Sequence, residues 1–164
     1  MNRVALLIGG NQGDRHSLLN QAAVLIQERI GTAVAVSGIY ETEPWGDFGG
    51  ECPQPFLNCA LLVETPLTAH DILHQALAIE ADLGRVRTLE TDAPAQAARI
   101  YRSRPIDIDL IFFNDEVIET PDLTIPHPRA HLRRFVLEPL ADIIPDDRHP
   151  LLGKTVKELL YEVL

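Results

Sequence analysis

A change of hydrophobic period near the start of the chain is the first constraint on its fold. Val4-Ala-Leu-Leu-Ile8 is an unbroken apolar run of strand length, and it stops at Gly9-Gly10-Asn11-Gln12-Gly13. Beyond it Leu18, Leu19, Ala22, Leu25, Ile26 and Ile30 recur at helical spacing, with Asp14 at the N-cap position and Gly31 just past the end. The same alternation then returns. Residues 33–40 and 56–64 are rich enough in β-branched and apolar side chains for two strands, and the Gly- and Pro-bearing stretch 42–55 between them reads as a loop. Thr68-Ala-His-Asp71 has the form of a capping box, with Asp in place of Glu, and opens a helix carrying Ile72, Leu73, Ala76, Leu77, Ile79 and Leu83 up to Gly84. Residues 106–113 form the strongest strand in the chain, and Val117-Ile118 adds a short one. Helices are predicted over 135–143 and after Thr155-Val-Lys-Glu158, a second capping box.

The order is β-α-β-β-α-β with a helical tail. That order predicts an α+β chain with a ferredoxin-like βαββαβ core, an antiparallel sheet with helices packed on one face, and a helical C-terminal extension. The other face of the sheet is expected to be left for loops and ligand. Residues 1–164 are expected to form a single domain, since their number suits one hydrophobic core. There is no low-complexity tract or internal repeat. The apolar run 4–8 is too short for a membrane span or a secretory segment, so the expectation is a cytoplasmic protein without membrane partners.

A net charge of −10 argues against broad nucleic-acid binding. The positive charge is nevertheless concentrated. Of 12 arginines, eight lie between Arg85 and Arg134, namely Arg85, Arg87, Arg99, Arg102, Arg104, Arg129, Arg133 and Arg134. Guanidinium forks suit phosphate oxygens, so this cluster points to a focused anion site, with a salt-bridged solvated segment as the alternative. Cys52 and Cys59 are neither a CxxC pair nor a disulfide framework and read as free thiols.

Asp107-Ile-Asp109 is the clearest chemical signal. In a strand, residues i and i+2 project from one face, so both carboxylates point together. Paired carboxylates repel unless a cation lies between them, and hard oxygens that share their ion with substrate phosphates suit magnesium. Two acidic residues on a solvated sheet face are the alternative, and DxD occurs in other metal-dependent transferases. Glu80 falls on the apolar stripe of its helix and therefore needs a partner, either an arginine or a ligand. Arg85, Arg87, Arg102 and Arg104 flank the polar stretch 85–105, which would then be a lid over bound nucleotide or an ordinary surface loop. His127 and His131 are four apart, but Pro126 and Pro128 interrupt any helix there and no HExxH exists, so zinc is rejected. His127 is left as a phosphate donor or a structural histidine. No GxxxxGK[ST], GxGxxG or GxSxG occurs, which excludes a P-loop and a serine-nucleophile elbow.

With those residues in view, the chain resembles the 6-hydroxymethyl-7,8-dihydropterin pyrophosphokinase family over nearly its whole length. The resemblance is carried by Ile8-Gly-Gly-Asn11, Tyr40-Glu-Thr-Glu-Pro-Trp-Gly46, Phe56-Leu-Asn58, Ile79-Glu80, Gly84-Arg-Val-Arg87, Arg104-Pro-Ile-Asp-Ile-Asp109, Ile125-Pro-His127 and Phe135-Val-Leu, in that order. It implies transfer of pyrophosphate from ATP to a pterin hydroxymethyl group, releasing AMP, with two Mg2+ ions held by Asp107 and Asp109. It further implies catalytic roles for Arg85, Arg104, Asp107 and Asp109, and ATP contacts at Glu80, Arg87, Leu110, Thr124, His127 and Arg133. The pterin pocket maps onto Thr42, Pro44, Phe56, Asn58 and Phe135. Ring faces suit a flat heterocycle, and the Asn58 amide suits its edge.

The chain departs from the family's pattern before the metal strand, where Ile100-Tyr-Arg-Ser-Arg104 stands for Arg-Trp-Gly-Pro-Arg, so Tyr101 is expected to take the tryptophan's place toward ATP. Rival readings are a DxD phosphohydrolase or nucleotidyltransferase and a non-enzymatic small-molecule sensor. The expected partners are ATP and the pterin alcohol, without nucleic acid, and the expected state is a monomer.

Overall fold

The computed structural model describes residues 1–43, 55–84 and 105–164. Its first strand, β1 (Asn2–Gly10), is longer than the apolar run that announced it, because Gly9 and Gly10 continue the pairing. Helix α1 (Arg15–Arg29) starts where Asp14 Oδ1 accepts the Ser17 N–H at 3.1 Å. The predicted second strand, 33–40, divides into β2 (Thr32–Val36) and β3 (Tyr40–Thr42), with Ser37, Gly38 and Ile39 between them. β4 (Phe56–Thr65) pairs with both pieces, so together they act as one broken edge strand. Helix α2 (Ala69–Asp82) is capped by the Thr68 hydroxyl, which accepts from Asp71 N, and the chain leaves it through Gly84 at a φ of 104°.

β5 (Asp107–Phe113) completes a sheet of order β2-β4-β1-β5, antiparallel at every pairing, with β3 beside β4. This is the split βαβ topology expected from the element order. A small hairpin of β6 (Ile118–Glu119) and β7 (Thr124–Ile125) follows, then a cis Ile125–Pro126 peptide and a 3-10 turn over Ala130–Leu132. Helices α3 (Arg134–Ile143) and α4 (Val156–Val163) close the described chain. The Thr155–Glu158 capping box is fully formed.

Alternation along the strands builds two cores. Val4, Leu6, Ile8, Leu57, Cys59, Leu61, Val63, Ile108 and Leu110 pack under α1 and α2 with Ile26, Ile72 and Ile79. Ala5, Leu7, Ala60, Leu62 and Phe112 face the other way and pack against Val136, Leu137, Leu140, Val156 and Leu159. The helical extension thus covers part of the face expected to lie open. Asp107 and Asp109, on the same face, remain partly exposed.

Candidate active site

The register of the sheet assembles the site. Gly9 of β1 lies opposite Asp107 of β5 on one side and Asn58 of β4 on the other, and Asn58 lies opposite Tyr40 of β3. Directly opposed residues project from the same face. Asp107, Gly9, Asn58 and Tyr40 therefore form one row across four strands. The next row holds Asp109, Leu7 and Ala60, and Thr42 stands opposite Phe56 at the far corner. All of these belong to the α3/α4 face. Strands are about 4.8 Å apart, so the Asp107 and Asn58 backbones are separated by roughly 10 Å, with only a glycine between them.

That glycine is required. A Cβ at Gly9 would lie 2.6 Å from Asn58 Oδ1 and 2.7 Å from the Leu57 carbonyl oxygen. Its absence leaves room for the Asn58 amide, which is 5% exposed and donates Nδ2–H to Thr42 Oγ1 at 3.1 Å. The sequence showed Gly9 only as the end of a strand, because close approach of a neighbouring strand leaves no local mark.

Asp107 and Asp109 are both partly exposed, while Ile108 between them is buried toward α2. Glu80 meets the strand from that buried side. Its carboxylate is 1% exposed, and Oε2 accepts the Ile108 N–H at 2.7 Å. The sequence left Glu80 open between an arginine partner and a ligand, and the described residues add a backbone anchor. The Ile108 N–H points away from β1 toward the outer edge of the sheet. By alternation the backbone of Leu110 points the same way. The Leu110 side chain is in the core under α1 and α2, so any nucleotide contact it makes is through this backbone edge.

His127 lies on the segment leaving β7, where its N–H donates to the Ile111 carbonyl at 3.0 Å. Its Nδ1 accepts from Arg129 N at 3.4 Å. Burial holds the imidazole below the ordinary histidine range, Arg133 and Arg129 press the same way, and Asp107 opposes them. His127 therefore shares its surroundings with the guanidinium of Arg133 and the carboxylate of Asp107. Arg133 immediately precedes α3 and lies 5.6 Å from the centre of the Phe135 ring, a cation–π arrangement. Thr124 is exposed at the end of β7. Pro44, Arg85, Arg87, Tyr101 and Arg104, together with the 85–104 lid reading, lie outside the described residues.

Among the described residues, no group of three or more His, Cys, Asp and Glu could enclose a metal. A pair of carboxylates beside an open glycine row fits magnesium, which takes one or two carboxylates and completes its shell with water and phosphate oxygens. It does not fit a structural zinc centre.

Two groups not singled out from the sequence also shape the site. Arg15 donates from Nη1 to the Pro55 carbonyl at 2.8 Å and reaches Glu41 at 3.4 Å, which ties α1 to β3 and to the start of β4. A cation in the first turn of a helix opposes the macrodipole, and that misplacement is the signal that could have flagged it. Asp142 of α3 binds β3 through Tyr40 and Gly38. Nothing in its own segment marks this role.

Comparison with known proteins gives these residues a context. The family model for 7,8-dihydro-6-hydroxymethylpterin-pyrophosphokinase (HPPK) matches residues 5–145. A 2-amino-4-hydroxy-6-hydroxymethyldihydropteridine pyrophosphokinase of Porphyromonas gingivalis is 41% identical over 143 residues, covering 87% of this chain and 90% of its own. The Bacillus subtilis protein of the same name is 39% identical over 145 residues, covering 87% and 79%. Among solved structures, wild-type Plasmodium falciparum HPPK-DHPS with pteroate superposes with a TM-score of 0.74 at 16% identity, a likeness of fold. The match takes in 98% of this chain but 44% of that one, so this chain spans less than half of the longer protein.

Proposed function

The chain belongs to the 7,8-dihydro-6-hydroxymethylpterin-pyrophosphokinase family, and from that premise we propose that it transfers pyrophosphate from ATP to the hydroxymethyl group of 6-hydroxymethyl-7,8-dihydropterin. AMP is the second product, and the reaction belongs to folate biosynthesis. One observation carries the reading at this site. The Asp107–Gly9–Asn58 row has a carboxylate and an amide on one face, about two strand spacings apart, which supports a metal ligand at the first and recognition of a heterocycle edge at the second.

Asn58 and Thr42 take the polar edge of the pterin, while Phe56 and Phe135 hold its faces. Pro44 borders the same pocket. Asp107 and Asp109 hold the magnesium, two ions by family resemblance. When bound, the metal supplies charge neutralisation at the phosphate oxygens. Asp107 stands at the end of the pair nearer the Asn58 row, so it faces the incoming hydroxyl. His127 and Arg133 meet the phosphates, Thr124 contributes a hydroxyl, and the outer edge of β5 at Leu110 takes the purine with Glu80 beside it. Arg85, Arg87, Arg104 and Tyr101 complete the ATP side, Arg85 and Arg104 acting on the transferred group. Transfer of this kind needs positioning and charge neutralisation more than covalent help from the protein.

The test is to incubate the protein with Mg–ATP, with and without 6-hydroxymethyl-7,8-dihydropterin, and to follow AMP. Release that depends on both the pterin and magnesium is expected. AMP or ADP formed equally without acceptor indicates a hydrolase, and no turnover with a bound ligand indicates a sensor.

A further inference from the structure

Beside its apolar packing on the sheet, α3 is tied to the sheet's edge by the carboxylate of Asp142. Asp142 Oδ1 accepts the Tyr40 hydroxyl at 2.7 Å, and its Oδ2 accepts the Gly38 N–H at 3.1 Å. The two donors bracket Ile39 at the point where the broken edge strand resumes as β3. β3 is three residues long and, among the described residues, has one strand partner, β4. A strand this short at an edge has few ladder bonds of its own, so an outside anchor decides where it lies.

The residues at the two ends of this anchor belong to the pterin pocket. On the sheet side, Tyr40 stands opposite Asn58 and Thr42 stands opposite Phe56. Thr42 also receives the Asn58 amide. On the helix side, Phe135 lies seven residues before Asp142, two turns along the same face of α3 and about 10 Å away. α3 also packs on β4 through Val136, Leu137 and Leu140 against Ala60 and Leu62, and the Asp142 contact adds the tie that relates the helix carrying Phe135 to the edge strand beside Phe56 and Asn58.

We propose that Asp142, through Tyr40 and Gly38, is a positioning residue for the pterin pocket, setting the gap between Phe135 on α3 and Thr42, Phe56 and Asn58 on the sheet. The proposal rests on the assignment of those four residues to the pterin. The contact also acts on the phenol of Tyr40. Its hydrogen bond to Asp142 is the first cause of a pKa pushed up to about 12, burial and the Asp142 and Glu138 charges adding to it. Tyr40 therefore stays protonated and donating at neutral pH. On the ATP side, Asp107, Asp109, Thr124 and His127 sit on β5, on β7 and on the segment that follows it, away from this contact, and Arg133, at the N-cap of α3, is the one described phosphate contact that shares the helix.

The test is calorimetric titration of the intact protein with 6-hydroxymethyl-7,8-dihydropterin and, separately, with a non-hydrolysable Mg–ATP analogue, alongside thermal unfolding. Asp142→Ala is expected to weaken pterin binding about tenfold, with nucleotide binding within about twofold of wild type. Tyr40→Phe, which keeps the Gly38 bond, is expected to cost about threefold. It carries the test alone if Asp142→Ala does not fold. Asp142→Asn recovers pterin binding to within about twofold, because its Oδ1 still accepts from Gly38 while its Nδ2 donates to the Tyr40 oxygen. Unchanged pterin binding in Asp142→Ala and Tyr40→Phe, or an equal loss for both ligands, overturns the positioning role and leaves the pocket assignment standing. A wild-type protein that binds the nucleotide and not the pterin overturns the pocket assignment and the positioning role with it.

Discussion

On the face covered by α1 and α2, Val4, Leu6 and Ile8 of β1 and Leu57, Cys59, Leu61 and Val63 of β4 run the length of the strands as apolar core. On the face covered by α3 and α4, the apolar rows give way at Leu7 and Ala60, where Asp109 enters, and the next row is Asp107, Gly9, Asn58 and Tyr40. The same strands supply both faces, so composition does not explain the contrast. Helix length contributes. The 15 and 14 residues of α1 and α2 span a little over 20 Å, whereas the 10 residues of α3 span about 15 Å and the 8 of α4 less. A nine-residue strand such as β1 extends about 30 Å. The shorter helices cover less of their face: Asp107 and Asp109 stay partly exposed, while the buried Asn58 is paired with Thr42 and Tyr40 with Asp142 of α3. One face is apolar core throughout, and the other is apolar core for half its length and polar for the rest.

The contrast breaks first at Asp109. Asp109→Ala is expected to lower pterin-dependent AMP release by at least about a thousandfold, the scale on which charge-neutralising groups act in phosphoryl transfer, while thermal unfolding stays close to wild type. Activity within tenfold of wild type would remove Asp109 from the metal site. Glu80 probes the opposite face. Glu80→Ala leaves the Ile108 N–H without this acceptor in the interior, so urea denaturation should register a loss of about 2–3 kcal/mol. Glu80→Gln keeps an acceptor and should lose less. If both substitutions leave stability unchanged, the anchor does not hold β5. Gly9→Ala lies on the boundary between the two regimes. Its Cβ runs into the Asn58 amide and the Leu57 carbonyl, so a loss of about 1–3 kcal/mol should accompany weaker pterin binding, both read from one variant by denaturation and calorimetry.

The smallest effect concerns the foot of the α3/α4 face, where His149 is 3% exposed and its Nδ1 accepts from the Leu151 and Leu152 backbone N–H groups at 3.2 Å. Burial, aided by His131, holds its pKa below the ordinary value of 6.5. Below that pH the unfolded chain binds a proton that the folded chain resists, so acidification removes stability. At and above neutral pH both forms are unprotonated and the contribution vanishes. Between pH 7 and pH 5 the wild type should lose more stability than His149→Gln, by an amount on the order of 1 kcal/mol or less. An equal loss in both would place the acid sensitivity elsewhere.

Much of this was legible in the residues. The run at 4–8, the Asp14 and Thr68 caps and the Thr155 box marked strands and helices, because period and capping are local properties of a chain. Asp107 and Asp109 declared a shared face for the same reason. The break between β2 and β3 was not legible. Residues 33–40 carry strand propensity throughout, and the interruption at Ser37 to Ile39 is decided by partners elsewhere, with Ser37 Oγ accepting from Ala60 N and Gly38 bound to Asp142. Glu80 was recognisable as an anomaly, but its bond to Ile108 was not, since the two lie 28 residues apart.

By itself, then, the amino-acid sequence determined the element order, the antiparallel topology that follows from it, the carboxylate pair, and a set of motifs specific enough to imply the family. Those depend on interactions between near neighbours or on patterns along one strand. Only the tertiary structure decided that Gly9 must be bare, that Asn58 lies across it from Asp107, and that Asp142 of α3 meets Tyr40 and Gly38 at the edge of the sheet. Each of these is a matter of register or of contact between distant segments. Their energies come from packing one element on another, and no local pattern records which elements those will be.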